Sequence, residues 1–191
     1  MAKFKIGKNW KQNTEKILNG TPDKEKIINT LFAVLNQIER NDWRGACHAT
    51  CSVIFVVLAE QGVESNLILG EAKIDPAYFN HSWIEINGEI YDLAIGHPLD
   101  GGVSYPPTIK GCNIDNTNPT EIEYGVDSGF DDDEPTKIIK SMPLTAYMDS
   151  FPLDPTLGLW VAVLDAAHQI GLKLDVVKLR KKYNDVYWKT R

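Results

Sequence analysis

Long apolar runs are absent from this sequence of 191 residues. The longest, Val53 to Ala59, falls far short of the ~18 residues of a helical membrane span, so no membrane-embedded role is expected. Residues Met1 to Gly20 are basic and polar with no apolar segment, which is not the pattern of a signal peptide. Positive charge is in deficit: the net charge is −6, against the basic stripe that a nucleic-acid partner requires. The basic residues that do gather, Lys178, Arg180, Lys181 and Lys182, read as one solvated helix face. Cysteine is scarce too. Three cysteines, an odd number with no Cys-x-x-Cys pair, suit neither a disulfide framework nor zinc knuckles. Free thiols point to a reducing, cytoplasmic setting. Internal repeats and low-complexity linkers are missing as well.

What is present suffices for one domain with a sizeable core, since 43% of the residues are hydrophobic and 24% charged, the balance of an ordinary soluble protein. A single domain over residues 1–191 is expected, with its core at about 21–96 and a loop-rich, helical extension over 97–191. Residues 1–20 read as an irregular arm. Thr21-Pro22 then marks a helix start, with Thr21 as cap and Pro22 in the first helical position. Ile27, Ile28, Leu31, Phe32, Leu35 and Ile38 recur at helical spacing.

From Cys47 to Glu60 nearly every residue is apolar or small. The β-branched Val53, Ile54, Val56 and Val57 favour a strand. The length of the run, and Gly62 where a helix cap belongs, favour a helix buried on nearly all sides. Val63 to Leu69 reads as a strand ending at Gly70, and Glu71 to Asn80 as a connection. Asn87-Gly88 lies between alternating segments, which predicts a two-residue hairpin turn that joins His81–Asn87 to Glu89–Ile95. Residues 97–135 read as a long connection, a lid or a mobile segment, with periodicity only over Thr120–Tyr124. The run Asp131-Asp132-Asp133-Glu134 within it reads as a solvated loop, because it lacks the spaced ligands of a calcium site. Helices are expected over Leu157–Ile170, with Trp160, Val161, Leu164 and Ala167 inward, and over Asp175–Asn184, capped by Asp175.

These elements place chemistry at Cys47. A thiolate is favoured at a helix N-terminus, where unpaired amides and the helix dipole meet the anion. The Cys47 amide is also a candidate oxyanion donor. Cys51, one turn deeper, reads as core. A two-residue turn pairs Ile86 with Glu89. It therefore sets Trp83 opposite Asp92 and His81 opposite Ala94, leaving His81 and Asp92 as diagonal neighbours on one face. Cys47, His81 and Asp92 thus form a candidate nucleophile, base and orienting acid. His48 points about 100° away from Cys47 around the helix and reads as a poor base for that thiol. Cys47, His48, Cys51, His81 and Cys112 hold enough ligands for zinc, but apolar surroundings and missing knuckles disfavour a metal. No metal and no cofactor is expected.

Gly45-Ala46-Cys47, a buried helix ending at Gly62, then His81-Ser82-Trp83-Ile84-Glu85 and Tyr91-Asp92, resemble the transglutaminase-like branch of the papain-like cysteine enzymes. The resemblance covers roughly residues 43–96. It implies an α+β fold in which the Cys-bearing helix packs on an antiparallel sheet, to which the C-terminal helices read from the pattern of residues 157–184 are extra. It also implies amide or acyl chemistry through a thioester, on a peptide or protein amide or a small acyl donor. Ser82 stands where the family has alanine, a small change. Related enzymes place an oxyanion donor ahead of the thiol, where this chain has Gln37, Asn41 and Trp43; Trp43 is the candidate. Trp83 reads as core or site wall. Arylamine acetyltransferases share the order of the triad, and Arg44-Gly45-x-Cys47 is similar to part of their motif. A catalytically idle binding protein of the same fold is the rival reading.

Overall fold

The computed structural model describes residues 4–191. Helix α1 (Trp10–Ile17) replaces the expected irregular arm, whose residues 1–3 lie outside the described residues. Its Trp10 is buried, Thr14 is fully buried, and Asn13 Nδ2 donates to the Ile114 carbonyl at 2.8 Å. Helix α2 (Lys24–Asn41) starts later than expected. Thr21 does not cap it, because the Thr21 hydroxyl accepts from Lys110 Nζ at 3.3 Å and the chain turns through Pro22 and Asp23. Helix α3 (Cys47–Glu60) has the expected bounds. Val63 N–H donates to the Leu58 carbonyl and Gly62 N–H to the Ala59 carbonyl, closing the helix as a Schellman motif. Ten of its fourteen residues are buried, including Val53, Ile54, Val56 and Val57. Burial between α2 and the sheet outweighs their strand preference.

The sheet is built from β1 (Asn66–Ile74), β2 (Ala77–Ile86) and β3 (Glu89–Tyr91), with later strands added on the far side of β1. Gly70 does not end β1. A side chain there would meet the Arg191 carbonyl at 2.8 Å and the Trp83 ring at 3.0 Å, so the glycine admits the C-terminal strand. Nor do residues 71–80 form a connection: β1 and β2 pair from Asn66↔Glu85 to Ile74↔Ala77. The turn at Asn87-Gly88 has φ of +53° and +80° and pairs Ile86 with Glu89, as expected.

The segment after β3 is more ordered than a long connection. A 3₁₀ turn covers Ala94–Gly96, and β4 (Thr108–Ile109) pairs with β5 (Cys112–Asn113). Strand β6 (Glu123–Val126) lies antiparallel to β1. Helices α4 (Glu134–Ser141), α5 (Leu144–Ser150), α6 (Trp160–Gln169) and α7 (Val176–Lys182) follow, and β7 (Lys189–Thr190) pairs parallel with β1. Asp175 caps α7, as expected, accepting from the Val177 and Lys178 amides. On α6, Trp160 and Ala167 are buried as expected. Val161 and Leu164 are only half-buried, because Ala162, Val163 and Ala166 take the inner face. The main apolar core draws on residues from Phe4 to Trp188, well outside 21–96. The result is an α+β architecture: α3 lies between the sheet on one side and α2 and α6 on the other. No helix among the described residues is long and apolar enough to cross a membrane.

Candidate active site

Cys47 is the first residue of α3, reached through Gly45 at φ +57°. The preceding residue, Ala46, offers no side-chain cap, so no side-chain oxygen occupies the amides of the first turn. Cys47 lines a cavity of about 510 Å³ together with His48, Phe79, His81, Ile95 and Leu99. His81 projects from β2, opposite Gly70 across the sheet. Its Nε2 lies 2.7 Å from Asp92 Oδ2, leaving Nδ1 as the nitrogen free to interact with the thiol.

Asp92 reaches His81 by a different route from the extended ladder that the hairpin register implied. The pairing of β2 with β3 stops at Ile84↔Tyr91. Asp92 instead bridges to Thr108, with both backbone hydrogen bonds at 2.8 Å. The expected pairing of His81 with Ala94 is lost, because Asp92 Oδ1 accepts from the Ala94 and Ile95 amides and folds the chain into the 3₁₀ turn. The second carboxylate oxygen accepts from His81 and, at 2.9 Å, from the Tyr124 hydroxyl. Four donors therefore surround a carboxylate that is wholly out of solvent.

Tyr124, on β6, has no obvious signature in the sequence beyond the periodicity of Thr120–Tyr124. Its ring also packs on His81 and Trp83. Trp83 takes the core alternative rather than the site wall: it is buried, donates to Glu85 at 3.3 Å and does not line the cavity. Trp43 does not line it either and packs against the main core. Gln37 is turned away, donating to the Ala162 carbonyl.

His48 lines the same cavity and contributes to lowering the Cys47 pKa, and its Nδ1 lies 2.7 Å from the Ser82 hydroxyl. Ser82 is consequently more than a small change for alanine. Cys51 behaves as core, donating its thiol to the Ser82 carbonyl at 3.2 Å. Burial pushes that thiol up, with the Asp92 charge adding to the effect.

Electrostatics distinguish Cys47 from its neighbour. Burial alone would raise its pKa, but the His81 charge and hydrogen bonds from His48 and His81 outweigh it and lower it to about 5. Burial would likewise lower His81, but the Asp92 and Cys47 charges outweigh it and raise it to about 10. Each charge thus stabilises the other, which favours the thiolate–imidazolium pair over the neutral one. Iodoacetamide labelling of Cys47, followed by peptide mapping, should rise with a midpoint near pH 5, against ~8.5 for an ordinary thiol. A midpoint near the ordinary value would show that the imidazolium does not hold the sulfur charge.

The rim is tied down from two sides. Arg44 bonds Asp42 and Asp100, His97 Nε2 lies 2.8 Å from Asp42, and Gly45 N–H donates to the His97 carbonyl. These contacts hold Leu99 against Gly45. On the other side, Asp133 caps α4 and Asp132 pairs with Lys140, so the acidic run is engaged in structure. Among the described residues, no group of three or more His, Cys, Asp or Glu side chains is arranged to hold a metal ion. Comparisons with protein-family models, with curated proteins and with solved structures give no match to this chain.

Proposed function

We propose that the protein is a cysteine-dependent amide hydrolase or acyltransferase of transglutaminase-like, papain-like fold. Cys47 is its nucleophile, His81 its acid–base group and Asp92 its orienting acid. One observation carries this reading: a helix-start thiol and an imidazole bound to a buried carboxylate share a single cavity.

In the proposed reaction the Cys47 thiolate attacks the carbonyl carbon of an amide. The charge passes to the carbonyl oxygen, for which the Cys47 amide is the donor. The adduct collapses with loss of the C–N bond as His81 gives its proton to the leaving amine. The resulting thioester is resolved by water, as in a peptidase or deamidase, or by an amine, as in acyl transfer. Asp92 holds the ring orientation and the imidazolium charge throughout.

The cavity walls disfavour an anionic acyl group. Phe79, Ile95, Pro98, Leu99 and Pro135 are apolar, Asn80 and Asp133 add polar and acidic groups, and neither lysine nor arginine lines the space. The substrate is thus a peptide or protein amide, or a small acyl donor, acted on in a reducing, cytoplasmic setting where the thiol persists.

Incubation with an activated acyl ester, quenched in acid, should give a mass increase of one acyl group that maps to Cys47. Hydroxylamine should remove it, and Cys47→Ala should never acquire it. An adduct that survives in Cys47→Ala, or no adduct with any ester or amide donor, would defeat the proposal.

A further inference from the structure

His81 cannot serve the sulfur and the leaving amine at once. Its Nε2 is committed to Asp92, so its Nδ1 carries a single proton for both tasks. A second donor at the sulfur would remove that conflict, and His48, which lines the same cavity and helps to lower the Cys47 pKa, is placed to be one.

Ser82 is fully buried, and its hydroxyl lies 2.7 Å from His48 Nδ1. No other partner for that hydroxyl occurs among the described residues. A buried hydroxyl hydrogen without an acceptor is costly. The arrangement that avoids this cost has Ser82 donating to Nδ1. The proton of the neutral His48 ring then sits on Nε2, the nitrogen that Ser82 leaves free. The ring lines the same cavity as Cys47 and His81.

We propose that His48, held in one tautomer by Ser82, is a fixed N–H donor to the Cys47 sulfur. It is a positioning residue that keeps a partner on the sulfur while His81 moves protons. This role rests on Cys47 being the acyl-group nucleophile. Before acylation it shares the thiolate charge with His81; once the C–S bond has formed the sulfur is neutral and the His81 proton goes to the leaving amine. When the thioester is resolved, the C–S bond breaks, its electron pair returns to sulfur, and the His48 N–H receives that charge. His81 meanwhile holds the proton taken from the incoming water or amine.

The test uses the full chain and follows thiolate ultraviolet absorbance and alkylation rate against pH. His48→Leu, which removes the donor at similar size, should raise the Cys47 midpoint by about one unit, the worth of one charge-assisted hydrogen bond. His48→Gln, which restores an amide donor, should recover part of that shift. Ser82→Ala should raise the midpoint by less and add nothing in the His48→Leu background, as expected for two residues acting through one contact. An unchanged midpoint in His48→Leu overturns the inference, as does a Ser82→Ala shift that persists in full without His48. Should His48→Leu not fold, Ser82→Ala decides alone: no upward shift overturns it. A Cys47 that is acylated normally while ignoring all three variants sinks this inference and spares the proposed function. A Cys47 that is never acylated does the reverse, provided that the midpoint shifts are seen.

Discussion

Asp92→Ala should destabilise the protein by about 3–5 kcal/mol, the usual loss when one partner of a buried ion pair is removed. The residue is fully buried and accepts from His81, Tyr124 and the amides of Ala94 and Ile95. Alanine leaves all four donors stranded and removes the bond that folds the 3₁₀ turn. Urea denaturation followed by circular dichroism should show a lower midpoint with an unchanged slope.

Asp92→Asn separates stability from chemistry. Its carbonyl can still accept from the two backbone amides, so the stability loss should be smaller. Its amide cannot accept from His81. Without the Asp92 anion the imidazolium loses its proton at lower pH, the thiolate loses its counter-charge, and the Cys47 midpoint should move up from about 5. A variant as reactive as the parent at pH 6 would show that the carboxylate does not act through the imidazole.

Gly158→Ala should cost roughly 2–4 kcal/mol, from overpacking added to backbone strain. Gly158 has φ +55°, and a Cβ there would lie 2.2 Å from the Met148 carbonyl oxygen and 2.9 Å from that of Asp149. Both are backbone atoms, so no side-chain rotation relieves the contact. The clash falls where α5 leads into α6, which packs on α3. Thermal unfolding should shift down markedly, while the pH midpoint of Cys47 labelling in the folded fraction stays put. A neutral substitution would mean that the α5–α6 junction yields easily.

The parts of the fold legible in the sequence are those fixed by local chemistry. Helix α3 is bounded by a glycine on each side and is long for a strand. The Asn87-Gly88 turn set its register from two residues whose backbones accept positive φ. The proximity of His81 and Asp92 followed from that register. Their contact was reached for a partly different reason, since Asp92 leaves the ladder to cap a turn. What depended on distant pairing was not legible. Helix α1 looked polar because only three of its eight residues face inward. Strand β6 is four residues long and half-exposed, so its alternation carried little signal, and Tyr124 was missed with it. The placement of His48 could not come from helix geometry alone, because Ser82 on another element sets the ring orientation. The resemblance suggested Trp43 as an oxyanion donor, and Trp83 read as core or site wall; both are used in packing.

The Cys51–Ser82 bond couples the whole constellation mechanically. It joins α3, which carries Cys47 and His48, to β2, which carries His81 and the serine that orients His48. Parting helix from strand would break this bond and separate Cys47 from His81. In the proposed reaction the Leu99 turn and the Asp133 edge, which line the cavity outside that helix–strand contact, are the walls that an entering substrate meets.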